Sequence, residues 1–213
     1  MNITTFFIDL DETVYPSSSG LWEKIRERID LYMSQVMKFD PEKIPDMRRA
    51  FYAKYGTTLR GLQAVYGVDM KHYLDFVHDI PLDQYISPDP SLRKALLSYP
   101  QRKIIFTNAD QNHARRVLKR LELSDCFEEI IDIFTIQPFC KPQPEAFQIA
   151  LKQAGVSDVR ECAFIDDHLP NLATAKDLGF FSIRVGSQEV TPECNSGITN
   201  LKDLPALIKP TGK

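Results

Sequence analysis

The residues of greatest chemical interest in this sequence sit where short apolar runs end. Ile8 runs into Asp9, with Asp11 two residues on; Phe106 runs into Thr107 and Asn108; Ile165 runs into Asp166 and Asp167. Taken singly, each is better explained by an ordinary strand-to-helix loop, where Asp, Asn and Thr cap helices. Taken together they resist that reading. Carboxylates converging in one crevice would repel by about 4 kcal/mol per pair at about 4 Å and an effective dielectric of about 20. A divalent cation removes the conflict, and a small all-oxygen ligand set that leaves space for water and phosphate suits Mg²⁺ better than zinc. Lys141 supplies a further positive charge, and Pro142 behind it favours an extended backbone that directs the lysine side chain.

Such convergence needs a particular scaffold. The runs Ile3 to Ile8, Lys103 to Phe106, Ile130 to Phe134, Cys162 to Ile165 and Phe180 to Val185 predict buried parallel strands. Helical patterns alternate with them at His113 to Leu121, Pro144 to Ala154 and Pro170 to Leu178, the last stopping at Gly179. Strand and helix in alternation predict an open α/β sheet with right-handed crossovers, and in such sheets ligands bind at the carboxyl ends of strands.

One interval breaks this rhythm. About 95 residues separate Ile8 from Ile104, whereas a βαβ unit needs about 30. Within the interval Leu21, Ile25, Ile29, Met33 and Val36 mark one amphipathic helix, and Asp40-Pro41 is a good cap and first position for a second. Further helical stretches follow at Thr58 to Tyr66 and Asp69 to His78. The expected organisation is a catalytic core of residues 1–14 and 88–213 interrupted by an all-helical insertion of residues 15–87.

Composition narrows the field. At 213 residues, 43% of them apolar, the chain can build one real core with an insertion. A formal net charge of -3 with both signs scattered shows no nucleic-acid footprint. Cys126, Cys140, Cys162 and Cys194 form no CxxC pair, which argues against a zinc or redox motif and for reduced thiols. The first apolar run meets Asp9 too early for a signal peptide or a membrane span, so a cytoplasmic protein is expected.

The segments Asp9-Leu10-Asp11-Glu12-Thr13, Phe106-Thr107-Asn108-Ala109, Lys141-Pro142 with Glu145-Ala146-Phe147, and Ile165-Asp166-Asp167 resemble, in order, the four motifs of the haloacid dehalogenase superfamily. The resemblance spans nearly the whole chain and implies a Rossmann-like core with a helical cap. Val14-Tyr15-Pro16 with Ser19-Gly20, the stretch Tyr55 to Leu62, Val77-His78-Asp79, and His113-Ala114 look like the pyrimidine 5′-nucleotidase branch. That branch commonly has Asn or Asp where this chain has Glu12, and a small residue where it has His168.

The resemblance implies a phosphomonoester hydrolase in which Asp9 attacks phosphorus and Asp11 serves as acid, then base. Mg²⁺ would be held by Asp9, the Asp11 backbone carbonyl, and Asp166 or Asp167. Thr107 and Asn108 would hold the phosphoryl oxygens, and Lys141 would neutralise the transferring group. The expected substrate is a small phosphomonoester, a pyrimidine nucleotide above all, chosen by a cap that closes over the site. A phosphatase or phosphomutase for sugar phosphates shares the same core. A haloacid dehalogenase proper needs neither metal nor second acid, and a non-catalytic nucleotide-binding descendant would be expected to lose Asp9, Asp11 or Lys141. For the stretch Tyr55 to Leu62, base recognition and a plain helix–helix turn stand about even, whereas His72 and His78 read as surface or core imidazoles, His113 as a residue that packs or caps near its helix start, and Trp22, Tyr32 and Tyr73 as cap core.

Overall fold

The computed structural model describes residues 2–210; residue 1 and residues 211–213, at the ends of the expected core segments, lie outside them. Six strands form one parallel sheet: β1 (Thr5–Ile8), β2 (Arg102–Phe106), β3 (Glu129–Ile131), β4 (Cys162–Asp166), β5 (Phe181–Val185) and β6 (Ser196–Ile198). Phe6, Phe7, Ile8, Ile104, Ile105, Phe106, Phe164 and Ile165 are all fully buried, as parallel strands covered on both faces require. β6 escaped the sequence reading because Ser-Gly-Ile at a sheet edge carries no apolar run. β3 stops short of the expected Phe134 because the buried Asp132 turns the chain: its carboxylate accepts from the Gln111 N–H on one oxygen and from Thr135 N–H and hydroxyl on the other.

The strand order is β3-β2-β1-β4-β5-β6. The chain therefore crosses from β1 to one side of the sheet and later returns to the other, and the crevice at such a reversal is where ligands bind. Register makes this specific. Ile8 lies opposite both Ile105 and Ile165, so one residue on, Asp9 comes level with Phe106 and Asp166, and its N–H donates to the Ile165 carbonyl at 2.9 Å.

Nine α-helices occur among the described residues: α1 (Leu21–Leu31), α2 (Ile44–Tyr55), α3 (Thr58–Tyr66), α4 (Met70–Val77), α5 (Pro90–Leu97), α6 (Gln111–Arg120), α7 (Pro144–Gln153), α8 (Leu169–Asp177) and α9 (Leu204–Leu207). None is long and apolar enough to cross a membrane. Phe7, Ile104, Phe106 and Phe164 form one cluster with Phe147 and Ala150 of α7 and Leu172 and Ala175 of α8. The rings meet edge to face, Phe147 to Phe106 at 5.2 Å and Phe147 to Phe164 at 5.1 Å. Truncating such a ring costs about 3–5 kcal/mol. α5 was not foreseen, although Asp89-Pro90 repeats the cap signature of Asp40-Pro41: Asp89 accepts from the Ser91 and Leu92 N–H groups.

Residues Gly20–Tyr85 form a compact helical unit distinct from the sheet-bearing one built by the chain up to Ser19 and from Ile86. In the helical unit α1 ends in a π-turn over Tyr32–Val36, closed by Met37 N–H to the Tyr32 carbonyl at 3.1 Å. The wider turn shifts the helical phase, so Met33 stays buried while Val36, expected on the same face, is 42% exposed. Tyr32 packs edge-on against Tyr73 at 4.9 Å and reaches His72 Nδ1 at 3.0 Å with its hydroxyl. Tyr32 and Tyr73 are buried in the unit's core, whereas His72 is exposed. The stretch Tyr55 to Leu62 is a helix–helix turn: Gly56 ends α2 at φ 83, Thr57 caps α3, and Arg60 is buried against Gln63 and Met70.

Gly61 lies inside α3, where helix propensity alone would make Ala more stable by about 1 kcal/mol. A Cβ there would sit 2.4 Å from Phe51 Cγ, however. Overpacking of that kind costs about 1–3 kcal/mol and should win. Thermal unfolding of Gly61→Ala is expected to show a lower Tm than wild type, and a raised Tm would contradict the packing of α3 on α2.

Candidate active site

Lys141 is the hub. It follows the buried Cys140 in the loop leading to α7, and its side chain is 1% exposed. Its Nζ donates to Asp9 Oδ1 at 2.6 Å, to Asp166 Oδ2 at 2.9 Å and to the Phe106 carbonyl at 2.7 Å, which uses all three ammonium protons. The rings of Phe106 and Phe164 lie 5.1 and 5.3 Å away and add a cation–π contribution. Burial alone would depress the lysine's pKa; Asp166 and Asp9 more than offset it, so the group stays charged.

The backbone of Lys141 is fixed as firmly as its side chain. Asn108 Nδ2 donates to the Lys141 carbonyl and Asn108 Oδ1 accepts from the Lys141 N–H, both at 2.9 Å. This two-way clamp ties the end of β2 to the lysine loop and commits the Asn108 side-chain amide. Thr107, also buried, accepts the Ala109 N–H on its hydroxyl oxygen at 3.0 Å and so shapes the same turn.

Asp9, Asp166 and Asp167 bring one carboxylate oxygen each to within 4.8 Å of the others. Asp166 is fully buried: its Oδ1 accepts from the His168 N–H at 2.8 Å, and its Oδ2 accepts from Asn171 Nδ2 at 3.0 Å besides Lys141. Thr13 Oγ1 lies between Asp9 Oδ2 at 3.4 Å and Asp167 Oδ1 at 3.3 Å. Burial raises the pKa of Asp9 well above the usual carboxylate range, with Asp166, Asp167 and Asp11 pushing the same way against Lys141. Asp167 is pushed up to about 7, by burial first and then by Asp166 and Glu12. One ammonium does not balance this much negative charge. An all-oxygen cluster short of positive charge fits a hard divalent cation.

Asp11 stands apart from that triad. Its Oδ1 accepts the Tyr15 hydroxyl at 2.5 Å and lies 3.3 Å from His113 Nε2. The tyrosine is buried one helical turn along from Asp11, and its pKa is raised well above the usual phenol value by burial and then by Asp11, so it remains a donor. His113 is buried in the first turn of α6, held by its N–H to the capping Asp110 at 3.0 Å. The sequence reading treated His113 as a packing residue and Tyr15 only as part of a motif. The available signal was positional: α6 begins directly after the polar end of β2, beside β1. Between these groups Glu12 takes a left-handed backbone at φ 59, a conformation that costs a non-glycine residue about 1–2 kcal/mol and that Asn or Asp tolerates better.

A search of family descriptions matches residues 3–179 to the haloacid dehalogenase-like hydrolases. Phosphate metabolism protein 8 of Saccharomyces cerevisiae is 30% identical over 188 residues, 82% of this chain. The chain spans only 59% of that relative's length. Among solved structures, the putative HAD-hydrolase YfnB from Bacillus subtilis bound to magnesium superposes with a TM-score of 0.65 at 17% identity, covering 98% of this chain and all of that one. L-2-haloacid dehalogenase from Xanthobacter autotrophicus gives a TM-score of 0.63, also at 17% identity, covering 99% of this chain and all of its own. With the sheet order, the aspartate at the end of β1 and the buried lysine facing it, these similarities assign the chain to a family: it is a member of the haloacid dehalogenase-like hydrolases.

Proposed function

We propose that the protein is a Mg²⁺-dependent phosphatase that hydrolyses phosphate monoesters through an aspartyl phosphate on Asp9, with pyrimidine nucleoside 5′-monophosphates as substrates. The observation that carries the reading is the pairing of two aspartates with different surroundings. Asp9 lies against Lys141 in the acidic triad, whereas Asp11 is held outside it by Tyr15 and His113. A dehalogenase needs no such second carboxyl; departure of an alkoxide does.

Asp9 attacks phosphorus with one carboxylate oxygen, forming an O–P bond as the bond to the leaving oxygen breaks. The electron pair stays on that oxygen, and the proton comes from the Asp11 carboxyl. Asp11, now a carboxylate, then takes a proton from the water that attacks the phosphorus of the aspartyl phosphate, which regenerates Asp9 and releases phosphate. The Thr107 hydroxyl and the Asn108 backbone N–H hold phosphoryl oxygens, since the Asn108 amide is committed to Lys141. Lys141 offsets the charge of Asp9 and of the transferring group.

Asp9, the backbone carbonyl of Asp11 and Asp167 would hold Mg²⁺ directly; Asp166, which already accepts three hydrogen bonds, orients Lys141. Bound there, the cation supplies charge neutralisation at the phosphoryl oxygens. The helical unit of Gly20–Tyr85 is assigned the choice of leaving group, because the core residues engage only the phosphoryl group. The relative named for phosphate metabolism supports phosphoester chemistry, and the branch motifs support a pyrimidine nucleotide. The four cysteines are free and buried, which supports a reducing compartment such as the cytoplasm.

A panel of UMP, CMP, their deoxy forms, AMP, GMP and sugar phosphates should show a clear preference for the pyrimidine nucleotides, and Asp9→Asn should lose turnover by roughly 10³-fold or more. Equal turnover of purines, or a sugar-phosphate preference, removes the nucleotide assignment; near-wild-type activity in Asp9→Asn removes the covalent route.

Linkage gives a second check. A carboxyl whose folded pKa is raised from 3.8 to about 7, as for Asp167, contributes stability below pH 3.8 that is lost as pH rises through 7. Mg²⁺ should reverse that loss, so its stabilising effect should grow from pH 5.5 to pH 8 and reach roughly 2.7 kcal/mol at 100 times its Kd. His168, held neutral by burial, titrates with the opposite sign over part of this range. The comparison is therefore between wild type and Asp167→Asn in thermal unfolding with and without Mg²⁺. A gain independent of pH, or retained in the variant, would contradict the assignment.

A further inference from the structure

Asp11 must deliver a proton to one oxygen and later remove one from water, so the direction of its carboxyl matters as much as its presence. Two groups from different parts of the chain converge on it. The Tyr15 hydroxyl donates to Oδ1 at 2.5 Å, and His113 Nε2 lies 3.3 Å from the same oxygen. The Asp11 side chain is 15% exposed, whereas that of His113 is fully buried. Tyr15 is likewise enclosed, at 3%. Each of the two is fixed by its own framework: Tyr15 by the turn in which the Val14 N–H bonds the Leu10 carbonyl at 3.0 Å, His113 by the Asp110 cap of α6. A carboxyl grasped at Oδ1 by two rigid rings keeps Oδ2 pointing in one direction.

We infer that Tyr15 and His113 are positioning residues that orient the Asp11 carboxyl for proton transfer to the leaving oxygen. The inference rests on the phosphatase reading above and adds to it the two side chains on which the acid step depends. Neither needs to touch substrate. Their contribution to the transfer step, which kcat/KM reports, should appear only when the leaving group requires a proton, because an aryl oxide departs unaided and an alkoxide does not. Their effect on hydrolysis of the aspartyl phosphate is common to both esters. General acid–base assistance is worth roughly 10²–10⁴-fold, and misdirecting the acid forfeits part of it.

The test compares kcat and KM for p-nitrophenyl phosphate and for a nucleoside 5′-monophosphate in wild type, Tyr15→Phe, His113→Leu, His113→Gln and Asp11→Asn, with folding checked by thermal unfolding. Asp11→Asn should lose far more kcat/KM on the alkyl ester than on the aryl ester. Tyr15→Phe and His113→Leu should show the same bias in kcat/KM, at least about tenfold greater loss on the alkyl ester, and their double variant should not exceed the Asp11→Asn loss. His113→Gln, which keeps a donor, should recover part of the alkyl activity. Equal losses on both esters in the Tyr15 and His113 variants, beside a biased Asp11→Asn, would overturn the positioning role and leave the phosphatase reading intact. An unbiased Asp11→Asn, or a wild type inactive on both esters, would overturn the reading and the inference with it.

Discussion

An ammonium group removed from water loses several kcal/mol of solvation, and the protein must return it through charges and hydrogen bonds. At Lys141 that return is complete: two carboxylates and one strand-end carbonyl, all within 2.9 Å, with two aromatic faces beneath. The acceptors come from the ends of β1, β2 and β4, so the lysine also joins three neighbouring strands at their carboxyl ends. Removing one partner would leave an uncompensated buried charge, typically at a cost of about 3–5 kcal/mol. Fold and site are therefore coupled through one side chain. The arrangement remains acidic even so, and that residual negative charge is what prepares the cluster for a cation.

The division of labour proposed for Asp9 and Asp11 rests on what surrounds them. Only Leu10 separates them along the chain, yet Asp9 meets a lysine and two further aspartates while Asp11 meets a phenol and an imidazole. Neighbours of opposite character give two like side chains different tasks. The left-handed backbone at Glu12 lies between Asp11 and Tyr15 along the chain, in the turn that brings the phenol back to the carboxyl.

Much of this was legible in the sequence because the signals were local. Five apolar runs marked five of the six strands, and those of β1, β2 and β4 ended in the polar residues that the sheet register then brought level. Helix α3 matched its pattern to the residue, since Thr57 and Gly67 punctuate both ends. What the sequence hid depended on tertiary partners. The contact of His113 with Asp11 joins residues 102 apart, and no periodicity or spacing encodes it. Asn108 was expected to meet phosphate through either its backbone or its amide N–H, and that the amide is committed to the Lys141 backbone only the loop geometry could reveal. Within the stretch Tyr55 to Leu62, where base recognition and a plain turn stood even, Arg60 is buried against Gln63 and Met70.

The most direct test of the central claim is a calorimetric titration of the metal-free protein with Mg²⁺ near neutral pH, alongside Asp167→Asn. If the triad facing Lys141 is a built cation site, one ion binds per chain with release of protons, and the variant binds at least tenfold more weakly. Absence of binding in wild type, or equal affinity in the variant, would show that Lys141 alone satisfies the cluster and that no cation completes it.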